Sequence, residues 1–391
     1  MKKYPPARAA VRDALAAGIA LCFLYAPLSA SPGAFELKGQ ASGWLSANDS
    51  PGWTLGFGLR YIPALSWTQA LSPTLTLDAE GSANAYFSGF TRRGTTPETG
   101  SRLKAYRAWV RLSSARFEAR LGLQKINFGS AAVLRPLMWF DRIDPRDPLQ
   151  VTDGVTGLLL RYYFPGNANA WAWGLYGNEE PKGWEANPTA RRTAEFGGRL
   201  QVPLLKGELG LTYHHRQADL SRGLVYEVAL RDPVAPEDRW ALDGKWDVGV
   251  GLWAEGALVR QGQAGHPYPY QRFLNVGADT TLALGNGLHL LAEHLSLGTA
   301  RGAWVKGEAR DFTALTASMP LGLLDSLSAI VFYDWHGRDV FSFLSWQRTY
   351  DRWLIYIIGF WNPESGRIYP GASGYNSFAG KGLELMVVFN H

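Results

Sequence analysis

The sequence predicts an all-β protein: a transmembrane antiparallel β-barrel of about eighteen strands, sixteen being the other count its turns allow. Three observations carry that expectation. Segments of roughly ten residues alternate apolar and polar side chains from Phe35 to the end of the chain. A targeting-type start precedes them. The connections between segments tend to alternate short and long.

The start comes first. Lys2, Lys3, Arg8 and Arg12 precede an apolar run from Ala14 to Ala26, and small residues follow at Ser29, Ala30 and Ser31. That order is a secretory signal peptide, expected over residues 1–30. Its apolar run is too short for a spanning helix, which needs about twenty residues. Much of the formal charge of +5 lies in this segment, so the basic balance is weak evidence for a nucleic-acid partner. The single cysteine, Cys22, sits inside the apolar run, where Leu21 before it and Phe23-Leu24-Tyr25 after it do not suit lipidation. Removal of residues 1–30 would leave no thiol for disulfides or metal.

Residues 31–391 then form one barrel domain. Strands are expected near 35–47, 53–62, 73–88, 103–112, 116–126, 155–164, 169–177, 193–203, 207–216, 237–247, 249–261, 270–283, 287–297, 310–319, 326–335, 339–347, 353–362 and 380–390. The third shows the pattern best. Leu75, Leu77, Ala79, Gly81, Ala83, Ala85 and Phe87 alternate with Thr76, Asp78, Glu80, Ser82, Asn84 and Tyr86. Successive strand side chains point to opposite faces, which gives one greasy face and one wet one. Near the C-terminus the pattern blurs, because Phe341, Phe343, Ile358 and Phe360 fall on nominally wet positions. The greasiest segment, Trp353 to Trp361, is short for a helix and suits a tilted spanning strand. A spanning sheet must close, since lipid offers no partner to a free edge.

Long connections are expected at 89–102, 127–154, 178–192, 217–236, 298–309 and 363–379. Short turns on one side and long loops on the other are the habit of outer-membrane barrels, and an even strand count puts both termini in the periplasm. Pro63–Ser72 and His336–Arg338 break the alternation. Trp67, Tyr162, Phe164, Trp171, Trp246, Tyr350, Trp353 and Phe389 lie at strand ends, where aromatic girdles belong. A soluble sandwich or propeller would also alternate, but would require neither the loop asymmetry nor the girdles.

The connection 127–154 is the richest in candidate function. It holds Arg135, Trp139, Asp141, Arg142, Asp144, Arg146 and Asp147 among packing residues and prolines. The flanking strands carry Arg107, Arg111, Arg116, Arg120, Arg161 and Arg199 on the wet face. These arginines are expected to form a basic wall facing Asp141, Asp144 and Asp147. Such a pairing would pin the loop, set a field that selects solutes, or do both. The wet face elsewhere is acidic, with Asp78, Glu80, Glu255, Asp279, Glu293, Asp334 and Glu384. Trp44, Tyr86, Trp109, Tyr163 and Trp253 are expected inside as packing, or as a stacking surface for sugars. His289 and Glu293 share a wet face and would suit a metal or acid–base pair, but no third ligand or Gly-x-Ser-x-Gly motif accompanies them. No cofactor and no enzymatic activity are expected.

The run Leu121-Gly-Leu-Gln-Lys-Ile-Asn-Phe-Gly129, then Arg135-Pro136 and Asp144-Pro-Arg-Asp-Pro148, resembles a strand-loop unit of uncharacterised porin-like outer-membrane proteins of Gram-negative bacteria. The loop 127–154 also resembles, in position and character, the third loop of porins, which folds into the lumen. The resemblance implies an outer-membrane channel for passive diffusion, here of small polar or anionic solutes. Its partners would be outer-membrane lipid, those solutes and further copies of the chain. The rival readings are a barrel that sheaths or docks a partner protein, such as a cytochrome or export complex, and an outer-membrane enzyme.

Overall fold

The computed structural model describes residues 33–50, 52–92, 95–222, 233–262, 268–364 and 378–391. The expected signal peptide lies outside them. Eighteen strands follow in order: β1 (Ala34–Asn48), β2 (Thr54–Ser72), β3 (Leu75–Arg92), β4 (Glu98–Ser113), β5 (Phe117–Gln124), β6 (Val155–Tyr163), β7 (Asn169–Tyr176), β8 (Ala194–Leu204), β9 (Gly207–Asp219), β10 (Val234–Asp247), β11 (Gly251–Gln261), β12 (Tyr270–Leu282), β13 (Leu288–Ala300), β14 (Glu308–Pro320), β15 (Asp325–Asp334), β16 (Asp339–Thr349), β17 (Trp353–Trp361) and β18 (Lys381–Asn390). The one helical element among the described residues is a 3-10 turn at Leu220–Arg222.

Each strand pairs antiparallel with the next, and β18 pairs with β1 to close the sheet into a barrel. Gln40 stands opposite Asn390 and Asn48 opposite Gly382 at the seam. His391 carries the ladder one step further: its N–H donates to the Gly39 carbonyl at 3.0 Å and its own carbonyl accepts the Gly39 N–H at 3.0 Å. The two residues after Phe389 are therefore part of the closure.

The connections at one end are short: 73–74, 114–116, 164–168, 205–206, 248–250, 283–287, 321–324 and 350–352. Those at the other end include 125–154 and 177–193. The expected break at Pro63–Ser72 is absent, because β2 continues through it. The β2–β3 ladder skips Ile62 and Pro63, so the missing proline N–H falls where no partner needs it. The connection 335–338 remains short at the long-loop end.

The alternation does what the sequence requires of it. In β18, Leu383 and Leu385 are exposed on the outside, while Glu384, Met386 and Val388 are buried inside. Outside, the pairs Phe35–Trp67 and Trp353–Phe389 lie toward the short-turn end, and Phe57–Phe87 toward the other. Trp171, expected in a girdle, instead points inward, with the Arg161 guanidinium 3.9 Å from its ring. Phe341, Phe343, Ile358 and Phe360 keep the inward phase and are buried. The expected register was sound there; the interior itself is apolar on that side.

Gly122 in β5 shows how tightly the wall is drawn. Its φ is +124°, and a Cβ there would meet the Ala108 carbonyl at 2.1 Å. Gly122→Ala is expected to lower barrel stability by about 2 kcal/mol or more, from positive-φ strain plus the clash. Gly81→Ala, whose added carbon meets nothing, should stay within about 0.5 kcal/mol. Urea unfolding in detergent, followed by tryptophan fluorescence, reads both.

Candidate functional site: the inward loop and the arginine wall

The loop 125–154 leaves β5 and crosses the interior. Its backbone is what the far wall grips. At Gly129, φ is +96° and a Cβ would sit 2.6 Å from a Glu255 carboxylate oxygen, so glycine lets that carboxylate approach. Glu255 of β11 accepts the N–H groups of Ser130 and of Ala131, the latter at 2.7 Å. Glu293 of β13 accepts the next three: Ala132 at 2.6 Å, Val133 at 3.1 Å and Leu134 at 2.5 Å. From β12 between them, Asn275 Nδ2 donates to the Leu134 carbonyl at 2.9 Å. Two buried carboxylates thus hold a run of successive loop amides. The bonds are charge-assisted and short, which offsets the cost of taking the carboxylates out of water.

On both sides of the clamp the loop forms an apolar plug. Ile126, Phe128, Leu134, Leu137, Met138, Trp139 and Phe140 pack with Leu159, Trp173, Phe273, Leu295, Phe332, Phe341, Phe343 and Phe360 of the barrel interior. Full burial of each such side chain is worth about 1.5–3 kcal/mol. The cavity between Met138, Trp139, Trp184 and the β10–β12 wall is only about 20 Å³. The inward phenylalanines that blurred the sequence pattern are the floor for this plug.

The loop's charged residues are mostly consumed within it. Arg135 pairs with Asp141 at 3.1 Å and with Asn127, and its carbonyl accepts the Trp184 indole N–H at 2.8 Å. Burial pushes the Asp141 carboxyl above its ordinary range despite Arg135. Arg142 donates to the Pro181 carbonyl from its side chain and to Thr152 Oγ1 from its backbone, the latter at 2.8 Å. Arg146 grips Asp144 with bonds of 2.7–3.1 Å and lies 5.9 Å from the Phe343 ring centre. Asp147 accepts the Leu149 N–H at 2.9 Å and sits 3.9 Å from Arg60 of β2. Burial raises the Asp147 pKa as well. The loop returns along β4, where Arg107 donates to the Thr152 carbonyl at 3.1 Å and Lys104 pairs with Asp153.

The strand arginines do not meet the loop aspartates as expected. Arg111 pairs with Asp78 at 2.9 Å, directly across the β3–β4 ladder. Arg120 and Arg161 lie 3.0 and 3.8 Å from Glu118. Arg120 also stands 4.7 Å from the Trp109 ring centre. Arg199 forks onto Asp243 at 2.5 and 2.8 Å and donates to Thr212 at 2.9 Å. Gly210 makes the space, since a Cβ there would strike the Arg199 guanidinium at 2.2 Å. Arg116 is not on β5 at all but exposed in the 114–116 turn. Arg111, Arg120 and Arg161 form the basic cluster that remains, with Trp109 and Trp171 against them. Of the expected wall, only Arg107 touches the loop through a hydrogen bond, and it does so at a carbonyl.

His289 and Glu293, which share a wet face, do not pair. His289 lies 3.3 Å from Asp279, and Glu293 is committed to the loop. A buried network that sequence reading missed holds the neighbouring connection 177–193. Glu185 pairs with Arg216 at 3.1 Å and with Arg239 at 2.6 Å, and Glu237 bonds both arginines at 2.6 Å. Arg216, Glu237 and Arg239 lie in the inward phase of β9 and β10, and their partner Glu185 comes from the loop.

No protein-family model matches the sequence, and no curated protein matches it. Solved structures do match. OccAB4 of Acinetobacter baumannii superposes with a TM-score of 0.55 at 8% identity, over 93% of this chain and 99% of that one. OccK7 of Pseudomonas aeruginosa gives 0.55 at 11% identity, over 92% and 99%. OccK5 of the same species gives 0.54 at 12%, over 91% and 97%. The fold is that of the outer-membrane porins. Within this porin fold the inward loop follows β5, and its clamp lies on the far wall at β11–β13.

Two outcomes are expected at this site. Glu293→Ala orphans three loop N–H groups, two of them buried, and should loosen the loop by about 2 kcal/mol or more, read as faster proteolysis between 125 and 154 with the barrel intact. Asp147 titrates with a raised pKa, so its seat is most favourable when protonated and weakens as pH rises from about 4 through the raised value. Asp147→Asn should remove that part of the pH dependence; a variant with the same pH profile as the native chain would contradict the assignment.

Proposed function

We propose that this protein is an outer-membrane channel that passes small polar and anionic solutes by passive diffusion. Its lumen is narrowed by residues 125–154, and its closed sheet presents an apolar, aromatic-edged outside to lipid. In this reading both termini and the short turns face the periplasm, as the expected export signal and even strand count require. The observation that carries the solute class is the unequal exposure of the basic cluster. The Arg111, Arg120 and Arg161 side chains are 31%, 16% and 18% exposed, while their partners Asp78 and Glu118 are 11% and 10% exposed. A passing solute therefore meets guanidinium more than carboxylate. Guanidinium forks match carboxylate and phosphate geometry, which favours anionic groups.

A barrel that sheaths another protein needs an interior clear of its own chain. Here residues 126–143 pack across that interior, which favours a constricted conduit over a sheath. Catalysis has less support still, because His289 and Glu293, which share a wet face, do not pair.

Planar-bilayer recording tests the reading. The purified chain should conduct with a preference for anions. Replacing Arg120 and Arg161 together by Ala should lower the anion-to-cation permeability ratio several-fold. Cation preference in the native chain, or an unchanged ratio in the variant, would contradict the proposal.

A further inference from the structure

The outer face is not uniform. On β18, β1, β2 and β3 the outward row near the long-loop end is apolar, with Leu383, Leu385, Leu45, Leu55, Leu59 and Phe87 exposed. On β11 and β12 the same row turns basic. Arg260 follows Leu258 in the outward phase of β11, where Ala257 and Val259 are buried inside. Arg272 precedes Leu274 and Val276 in the outward phase of β12, where Phe273 and Asn275 are buried inside. The register puts Arg260 opposite Tyr270, and Arg272 opposite Leu258. The two arginines are thus diagonal neighbours on one face, about 7–8 Å apart at their bases. Trp240 of β10, opposite Leu258, flanks them.

One oxygen of the nearest acid on that face is already engaged. Asp238 stands opposite Arg260, yet its Oδ1 accepts the Tyr213 hydroxyl at 2.8 Å and lies 2.8 Å from His215 Nδ1. Among the described residues no ion pair joins either arginine to an acid. Exposed below them are Leu242, Leu274 and Val276. Two cations at the level of Trp240 and Tyr270, above an aliphatic surface, match the two ends of one kind of molecule. We propose that Arg260 and Arg272 together hold the phosphoryl headgroup of an anionic membrane lipid, whose acyl chains lie on Leu242, Leu274 and Val276. Paired guanidinium groups supply forked donors to phosphate oxygens, and the aromatic rings sit at the polar edge of a bilayer. The site rests on the membrane placement proposed above and not on conduction, so its failure leaves the bilayer experiment unaffected.

Native mass spectrometry of the purified full chain, released from nanodiscs of phosphatidylcholine with a minor fraction of phosphatidylglycerol, tests it. The native chain should retain phosphatidylglycerol in preference to phosphatidylcholine. The double variant Arg260→Ala with Arg272→Ala should retain it several-fold less, Arg260→Lys with Arg272→Lys should restore part of the difference, and Arg191→Ala should match the native chain. Heat-dependent gel mobility establishes that each variant is folded. Equal retention by the native chain and the double Ala variant would overturn the proposal. So would release of the retained lipid by inorganic phosphate at equal concentration, which would mark a site for free anions rather than lipid.

Discussion

The arrangement depends on two carboxylates in the barrel interior that accept backbone N–H groups from one loop. A carboxylate offers about four acceptor positions, and Glu293 fills three of them with successive amides of residues 132–134. Glu255 takes the two amides before them. The exchange is mutual. An irregular loop cannot satisfy its own N–H groups, and a buried carboxylate cannot remain unpaired without a large desolvation cost. Each solves the other's problem, and together they fix where the loop crosses the lumen.

Much else follows from that placement. A loop seated on β11 and β13 must lay its side chains on the neighbouring strands, so Phe332, Phe341, Phe343 and Phe360 face inward where a water-filled barrel would carry polar residues. The loop's charges close on themselves, as Arg135 with Asp141 and Arg146 with Asp144. The strand arginines are left to their ladder neighbours, Asp78 and Glu118. Their cluster therefore lies beside the loop as a separate feature of the lumen.

The barrel was legible because its rule is local: period-two alternation and the length of connections are visible in any stretch of ten residues. Pro63 misled, since a proline reads as a break unless the neighbouring ladder is known to skip it. The extra residue at Tyr106 was hidden for the same reason; it shifts the β3–β4 register and changes the inward phase between Lys104 and Arg107. The loop's inward fold was legible in its composition, whereas the close backbone approach at Gly129-Ser-Ala-Ala132 was not singled out. The clamp itself was not legible. Its partners lie more than a hundred residues further along the chain, and a glutamate on a wet face looks the same whether it meets water or a loop. The arginines were assigned the wrong acids because sequence gives the face of a residue but not its neighbour across the ladder.

Amide hydrogen exchange of residues 130–134 in the detergent-solubilised chain addresses the clamp directly. Protection close to that of the β11 and β13 amides is the expected result, since those loop N–H groups are bonded to buried carboxylates. Exchange at the rate of an exposed loop, with the strands still protected, would contradict the account.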